Sequence, residues 1–272
     1  MSRRELRGRV VLVTGAAGGL GAALCRRYAA AGARIAALDL DAANLDTLVA
    51  GLRAMGADAL ALPGDITDPT ACESAVAATL AHFGALDGLI NNAGISARSL
   101  LVDTDLNVIR RVMEVNFFGA ANLTRAALPH IVERHGFIAA ISSVAGFSPL
   151  TGRTAYAASK HALHGFFDSL RTEVAGSGVG VTLVCPSFIR TGIGAAATDG
   201  SGAPVSGPRI TTGGESSPEE IAAHVFDAVA AGRSLLLPDA TSRKAWWLSR
   251  LAPSLYARIM KGRVGREFPG LD

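Results

Sequence analysis

Short apolar runs alternate with longer amphipathic stretches along most of the chain. The runs fall at residues 10–13, 34–39, 58–62, 86–90, 137–141, 179–185 and 234–237. Strands buried on both faces of a parallel sheet read this way, with little polar alternation. Between them, residues 22–31, 41–55, 68–83, 105–134, 154–174 and 218–231 carry apolar positions at helical spacing. Ser217 is placed to cap the last of these helices, with Pro218 in its first turn. The alternation predicts one α/β domain, a doubly wound parallel sheet of about seven strands with helices on both faces.

Two stretches leave this pattern. Residues 192–217 are rich in Gly, Ser, Thr, Ala and Pro and have no period. A loop of that length inside a compact domain is read as a flexible substrate lid. Residues 242–263 predict a helical tail, with Trp247, Leu251, Leu255 and Ile259 at four-residue spacing. Arg243, Lys244, Arg250, Arg258, Lys261 and Arg263 interleave with them, and Pro253 should kink or split the helix. Such a tail could lie on a membrane surface, or it could cover the substrate pocket or a subunit interface. Pocket or interface is the expectation, because Pro253 interrupts the amphipathic pattern and tryptophan bodies bury against their own domain.

Composition narrows the classes. A hydrophobic content of 49% in 272 residues supports a large single core. A net charge of +3 excludes a nucleic-acid-binding polycation. No run of 18 apolar residues exists, so no membrane-spanning helix is expected. Arg3, Arg4, Arg7 and Arg9 ahead of an apolar run mimic a secretory leader, but glycines interrupt that run at motif spacing. Cys25, Cys72 and Cys185 lie far apart and suggest buried thiols in a reducing cytoplasm. His161 and His164 share a helix face without a carboxylate or cysteine cluster, so no metal site is expected.

Candidate chemistry sits where the predicted strands end. Thr14 to Gly21 forms a glycine-rich turn between a strand and a helix. It fits an ordinary turn, and it also fits a pyrophosphate held by close backbone and helix N-terminal N–H groups. Asp39 ends the second strand, 18 residues after Gly21, where a carboxylate can bind a ribose 2′-hydroxyl. A 2′-phosphate there would meet repulsion of roughly 4 kcal/mol at about 4 Å and an effective dielectric of about 20. No cation at Ala16, Ala17, Gly18 or Leu40 offsets it, so NAD(H) is expected over NADP(H). Asn91-Asn92-Ala93-Gly94 closes a further strand, as a turn or as a ligand-binding end, and Ser142-Ser143 ends the fifth strand. Asn116 inside a predicted helix is either a surface residue or the mark of a local kink that frees backbone groups for water. Tyr156 and Lys160, four apart, share a helix face. Free tyrosine, with a pKa of about 10, is a poor base at neutral pH, and an adjacent ammonium favours its phenolate. Such a pair is a tuned acid/base, and Lys160 is one of only three lysines in the chain.

In this order, with Ser143 thirteen residues before Tyr156, the motifs resemble the short-chain dehydrogenase/reductase superfamily over about residues 8–191. One departure is Ser187, where the family usually has glycine after the proline. The resemblance implies a Rossmann-like fold and an NAD(H)-dependent oxidoreductase interconverting a secondary alcohol and a ketone. Tyr156 would be the proton donor or acceptor. Lys160 would lower its pKa and hold the nicotinamide ribose, Ser143 would hydrogen-bond the substrate oxygen, and Asn116 would stabilise a relay water. Gly15, Gly19, Leu20 and Gly21 would line the pyrophosphate, Asp39 would bind the adenosine ribose, and Asp65 and Ile66 would flank the adenine. Asn92, Ala93 and Gly94 would lie along the cofactor, with Pro186, Ile189 and Thr191 at its nicotinamide end. Family members pair through the two long helices, which implies a homodimer or homotetramer. The lid carries few charges, Asp199, Arg209 and Glu215, and Phe188, Trp246 and Trp247 could be pocket walls. An apolar substrate such as a steroid or lipid is therefore expected. The rivals are an inactive NAD(H)-binding regulatory protein and a reductase of acyl or small polar carbonyls.

Overall fold

The computed structural model describes residues 4–191, 196–205 and 214–267, with side chains to Lys261. The strands are β1 (Val10–Thr14), β2 (Arg34–Asp39), β3 (Ala59–Pro63), β4 (Gly88–Asn91), β5 (Phe137–Ile141), β6 (Gly180–Val184) and β7 (Leu235–Leu236). All pair in parallel, in the order β3-β2-β1-β4-β5-β6-β7. Strand order reverses at β1, which lies between β2 and β4. Open α/β sheets bind ligands beyond the strand ends at such a switch point.

The helices are α1 (Gly19–Ala30), α2 (Ala42–Ala54), α3 (Pro69–Phe83), α4 (Leu106–Met113), α5 (Gly119–Glu133), α6 (Thr154–Glu173), α7 (Pro218–Ala230), α8 (Ala240–Leu251) and α9 (Pro253–Glu267). Alternate residues of β1 feed two cores, as the two-residue period of a strand requires. Val11 and Val13 pack with Leu24, Leu45 and Val225 of α1, α2 and α7. Val10 and Leu12 pack with Val76, Leu123 and Phe167 of α3, α5 and α6. All five β1 residues are buried, which is why the run shows no polar alternation.

Helix starts follow local chemistry. Asp41, Asp68 and Asp105 each accept a hydrogen bond from a backbone N–H in the turn they cap. Ser217 and Glu220 form a reciprocal capping box at α7. Such caps contribute about 1 kcal/mol each. The predicted helix over 105–134 is in fact α4, a π-helical turn at Glu114–Phe118, and α5. Asn116 lies in that π turn, so the irregularity it signals is one residue inserted into the helical ladder. The tail breaks at Ala252–Pro253 into α8 and α9, because proline removes a donor and clashes with the preceding turn.

Of the predicted lid, residues 192–195 and 206–213, including Arg209, lie outside the described residues. In the intervening piece, Thr198 bridges to Ala97 in parallel, and Asp199 accepts from the Ser201 and Ala203 N–H groups.

Candidate active site

A cleft of about 780 Å³ lies at the carboxyl ends of the central strands. All the site residues expected from the sequence line it except Asn116.

Glycine is required in the turn after β1 for space. Gly15 has φ +61°, and a Cβ there would stand 2.8 Å from the Ala93 Cα. A Cβ on Gly21 would overlap the Gly15 carbonyl oxygen. The turn therefore lies flat against residues 92–93, and α1 begins at its far side. The residue before α1, Gly18, supplies no side-chain cap. The first-turn N–H groups of Gly19, Leu20 and Gly21 are left for a ligand, and the helix dipole favours an anion there.

Asn92 holds this turn in place. Its Nδ2 donates to the Thr14 and Gly15 carbonyls at 2.9 and 3.1 Å. The Asn92 and Ala93 N–H groups donate to Thr14 Oγ1 at 2.9 and 3.0 Å. The Asn92 amide donors are thus spent on the turn, although the residue lines the cleft.

Asp39 ties the end of β2 to the same turn. Its Oδ2 accepts from the Ala17 N–H at 2.9 Å and its Oδ1 from the Asp41 N–H at 3.0 Å. Each carboxylate oxygen retains a further lone pair. Leu40, Asp41 and Asn44 complete this corner. Further along, Asp65 Oδ1 accepts from the Thr67 N–H and Oγ1. Partial burial pushes the Asp65 carboxyl up, but these hydrogen bonds and Arg111, 3.9 Å away, outweigh it and hold it below the usual range. Arg111 and Val115 line the cleft and escaped the sequence reading. Their four-residue spacing, one position out of phase with Asn116, was the available signal.

Asn116 sits beneath the cleft, 1% exposed. Its Oδ1 accepts from the Ile95 N–H at 2.8 Å. Its Nδ2 donates to the Ile95 carbonyl at 3.0 Å and to Ser159 Oγ at 2.9 Å. Ser159 Oγ donates in turn to the Tyr156 carbonyl. The side chain thus clamps the loop after β4 to the helix that carries Tyr156 and Lys160.

Lys160 is 3% exposed, and its Nζ donates to the Ile141 carbonyl at 2.8 Å. Nζ lies 5.7 Å from the Tyr156 ring centre. Burial lowers the Lys160 pKa to about 8. The neighbouring Cys185 thiol is itself pushed up to about 12 by burial, so it is neutral where Lys160 titrates and lends it no negative charge. No carboxylate among the described residues pairs with this ammonium. Behind it, Ser142 Oγ donates to the Lys160 carbonyl, and His164 Nε2 lies 3.1 Å from that Oγ. Burial pushes His164 down to about 4, so its ring is neutral at neutral pH.

Ser143 lies two residues past the end of β5 and caps the 3₁₀ turn Val144–Gly146; its Oγ accepts from the Ala145 N–H at 3.2 Å. That bond leaves the hydroxyl proton free to be donated.

Ser187, the departure from the family pattern, latches the tail to the cleft. Its N–H and Oγ donate to the two carboxylate oxygens of Asp239 at 3.0 and 2.8 Å. Asp239 also caps α8 through the Ser242 N–H at 2.7 Å. Trp246 of α8 packs edge-on against Phe147, with centroids 4.9 Å apart, and Arg250 stacks 3.1 Å over Trp246. Tyr256 of α9 donates to Ser148 Oγ at 3.1 Å. The tail therefore braces the segment just after Ser143. Phe188, Trp246 and Trp247, the wall candidates, are not among the residues lining this cleft, and Trp247 is 60% exposed.

Residues 9–201 match the family model described as short chain dehydrogenase. The chain belongs to the short-chain dehydrogenase family. This short-chain dehydrogenase is 40% identical over 278 residues to "Dehydrogenase/reductase SDR family member 7B" of Rattus norvegicus, covering 98% of this chain and 84% of that protein. It is 39% identical over 268 residues to "Dehydrogenase/reductase SDR family protein 7-like" of Anopheles gambiae, covering 96% of this chain and 84% of that protein. A solved short-chain dehydrogenase/reductase from Burkholderia phymatum, in complex with NAD, superposes with a TM-score of 0.84 at 27% identity, over 93% of this chain and 96% of that one. The family is one of oxidoreductases, and the single seven-stranded Rossmann-like domain expected from the sequence is the fold observed.

Proposed function

We propose that this short-chain dehydrogenase interconverts a secondary alcohol and a ketone with NAD(H), on an apolar substrate such as a steroid or lipid. The observation that carries the reading is the buried Lys160 ammonium. It has no carboxylate partner among the described residues and lies 5.7 Å from the Tyr156 ring, in the cleft that also holds Ser143.

The cleft fits a dinucleotide. The flat glycine turn and uncapped α1 N-terminus suit the pyrophosphate, and Asp39 would accept from the adenosine ribose hydroxyls. Ile66 and Val115 offer apolar surface to the adenine. A nicotinamide cofactor held there would supply the hydride chemistry. The chain's own groups handle the oxygen. Ser143 donates a hydrogen bond to it, and Tyr156 gives a proton in reduction and takes one in oxidation. The Lys160 charge favours the tyrosinate, which brings its proton affinity closer to neutral pH.

Preference for NAD(H) is supported by the corner at Asp39. Its lining residues Ala17, Leu40, Asp41 and Asn44 include a second acid and no cation, and Arg111 is engaged with Asp65. The NAD complex of the Burkholderia phymatum protein points the same way. An apolar substrate is supported by Ile95, Pro186, Ile189 and Ala196, which line the cleft together with Ser143 and Tyr156.

The test is a turnover screen with NAD and NADP over steroids, acyl alcohols, sugars and polyols, with Tyr156→Phe as control. We expect NAD-linked turnover of apolar secondary alcohols, reduced about 10²- to 10⁴-fold in Tyr156→Phe with cofactor binding retained. Equal efficiency with NADP would overturn the cofactor assignment, and a preference for sugars the substrate class. Bound NAD with no turnover on any alcohol would make the chain a binding protein.

A further inference from the structure

Among the described residues, the outer face of the tail is left uncovered. On α8, Trp247 and Leu251 are 60% and 77% exposed; on α9, Leu255 and Ile259 are 47% and 40% exposed. Within each helix the two residues are four apart and so share a face. The adjoining faces are committed inward, through Trp246 on Phe147, Tyr256 on Ser148, and the buried Met260. The helices cannot turn the exposed residues into the domain without giving up those contacts. Arg243, Lys244, Arg258 and Lys261 are exposed around the same stretch. Residues 240–261 contain no Asp or Glu.

We propose that α8 and α9 form a docking face for an anionic lipid surface, lying in the headgroup plane with Trp247, Leu251, Leu255 and Ile259 in the acyl boundary. An exposed apolar stripe marks an interaction site, and charge selects the occupant. A second copy on the same face would bring two acid-free basic patches together. Anionic headgroups would neutralise them, and tryptophan with flanking cations is the composition of an interfacial helix. Among the described residues no helix is long and apolar enough to cross a membrane. The head of α8 is tied to the cleft wall, where Asp239 holds Ser187. The inference rests on exposure and charge and stands whether or not the proposed substrate is correct.

Co-sedimentation of the full chain with vesicles of phosphatidylcholine, alone or with about a third phosphatidylserine, tests it. Binding to the mixed vesicles should exceed binding to the neutral ones by about tenfold or more and should weaken as salt is raised. The double variant Trp247→Ser/Leu251→Ser should lose about tenfold or more of that binding. So should the triple variant Lys244→Glu/Arg258→Glu/Lys261→Glu. All five positions are exposed, and an unchanged circular dichroism spectrum checks folding in each. Absence of sedimentation, or equal binding to neutral vesicles, overturns the proposal. So does a drop in molar mass by light scattering in the double variant when the wild type binds no vesicle, which would make the face a contact between copies.

Discussion

Two buried charges stand at opposite ends of the sheet, and they are treated in opposite ways. At the amino end, Asp87 is 1% exposed and fully satisfied. It accepts from Arg9 at 2.6 Å, from Arg134 at 3.0 Å and from the Val10 N–H at 2.9 Å. Burial alone would raise its pKa, but these three partners hold it below the ordinary carboxylate range. At the carboxyl end, Lys160 has one carbonyl, that of Ile141, and no counter-ion among the described residues. Its pKa is moved toward neutrality, the direction that disfavours the charge. A buried charge with a full set of partners fastens strands together. One left short of partners holds free energy that a ligand can draw on, and perturbed groups of that kind cluster at functional sites. The difference fits a division in which the amino end of the sheet serves stability and the carboxyl end the proposed chemistry.

The largest effect expected from breaking this comparison is at Lys160. Lys160→Met keeps the stem volume and removes the charge. Turnover should fall by about 10²- to 10⁴-fold, because Tyr156 loses its tuning. Stability should not fall, since an apolar replacement of a poorly compensated buried charge is neutral or stabilising. The pH dependence sharpens the point. Between about 8 and the ordinary lysine value of 10.5, the unfolded chain holds the Lys160 proton and the folded chain does not. Wild-type stability should therefore rise with pH across that window, relative to Lys160→Met, by up to a few kcal/mol. Denaturant melts of both proteins at several pH values measure this; parallel curves would mean that the ammonium is not desolvated in the fold.

Asp87→Ala should show the reverse pattern, with a smaller effect. It leaves the Val10 N–H without its acceptor and should cost about 1–3 kcal/mol of stability. Turnover of the folded fraction should be unchanged. The sign with pH is also reversed. Asp87 has a lowered folded pKa, so its contribution is present above the ordinary value of 3.8 and is lost as acid takes the pH down through the folded value. The gap between wild type and Asp87→Ala should close in acid. A gap that stays constant with pH would show that the Arg9 and Arg134 contacts contribute nothing through charge.

The residues of the candidate site were more legible in the sequence than the contacts that support them. Gly15, Asp39, Ser143, Tyr156 and Lys160 sit at strand ends or on one helix face, and strand ends and helix faces follow from local periodicity. The π turn at Asn116 showed only as a polar residue out of place, since helix interiors do not announce an inserted residue. What could not be read was the pairing of distant polar groups. Asn92 reaches Thr14 across 78 positions, and Ser187 reaches Asp239 across 52. Nothing local to any of those residues fixes its partner. The adjacent tryptophans show the same limit. Composition made both of them wall candidates, yet their neighbouring helix positions send Trp246 onto Phe147 and Trp247 to solvent.

The Ser187 latch gives the smallest effect and the finest test of the division between the two ends. It lies at the chemical end, yet its hydrogen bonds resemble those of Asp87, with both carboxylate oxygens of Asp239 satisfied by its N–H and Oγ. Ser187→Gly restores the residue usual in the family and removes only the Oγ bond, keeping the N–H to Oδ2. The expected cost is about 0.5–1.5 kcal/mol of stability, the net worth of one such bond. The substrate KM should shift by less than kcat-abolishing substitutions shift turnover, because the loop moves while Tyr156, Lys160 and Ser143 keep their own supports at Ser159, Ile141 and Ala145. Asp239→Ala should be worse, since it strips both Ser187 bonds and the cap of α8 together. Measuring kcat and KM separately, alongside a denaturant melt, distinguishes the cases. A stability loss with kcat preserved places the latch with Asp87, as structure. A hundredfold fall in kcat for Ser187→Gly, on the scale of losing a general acid, would move it to the side of Lys160 and break the division between the two ends of the sheet.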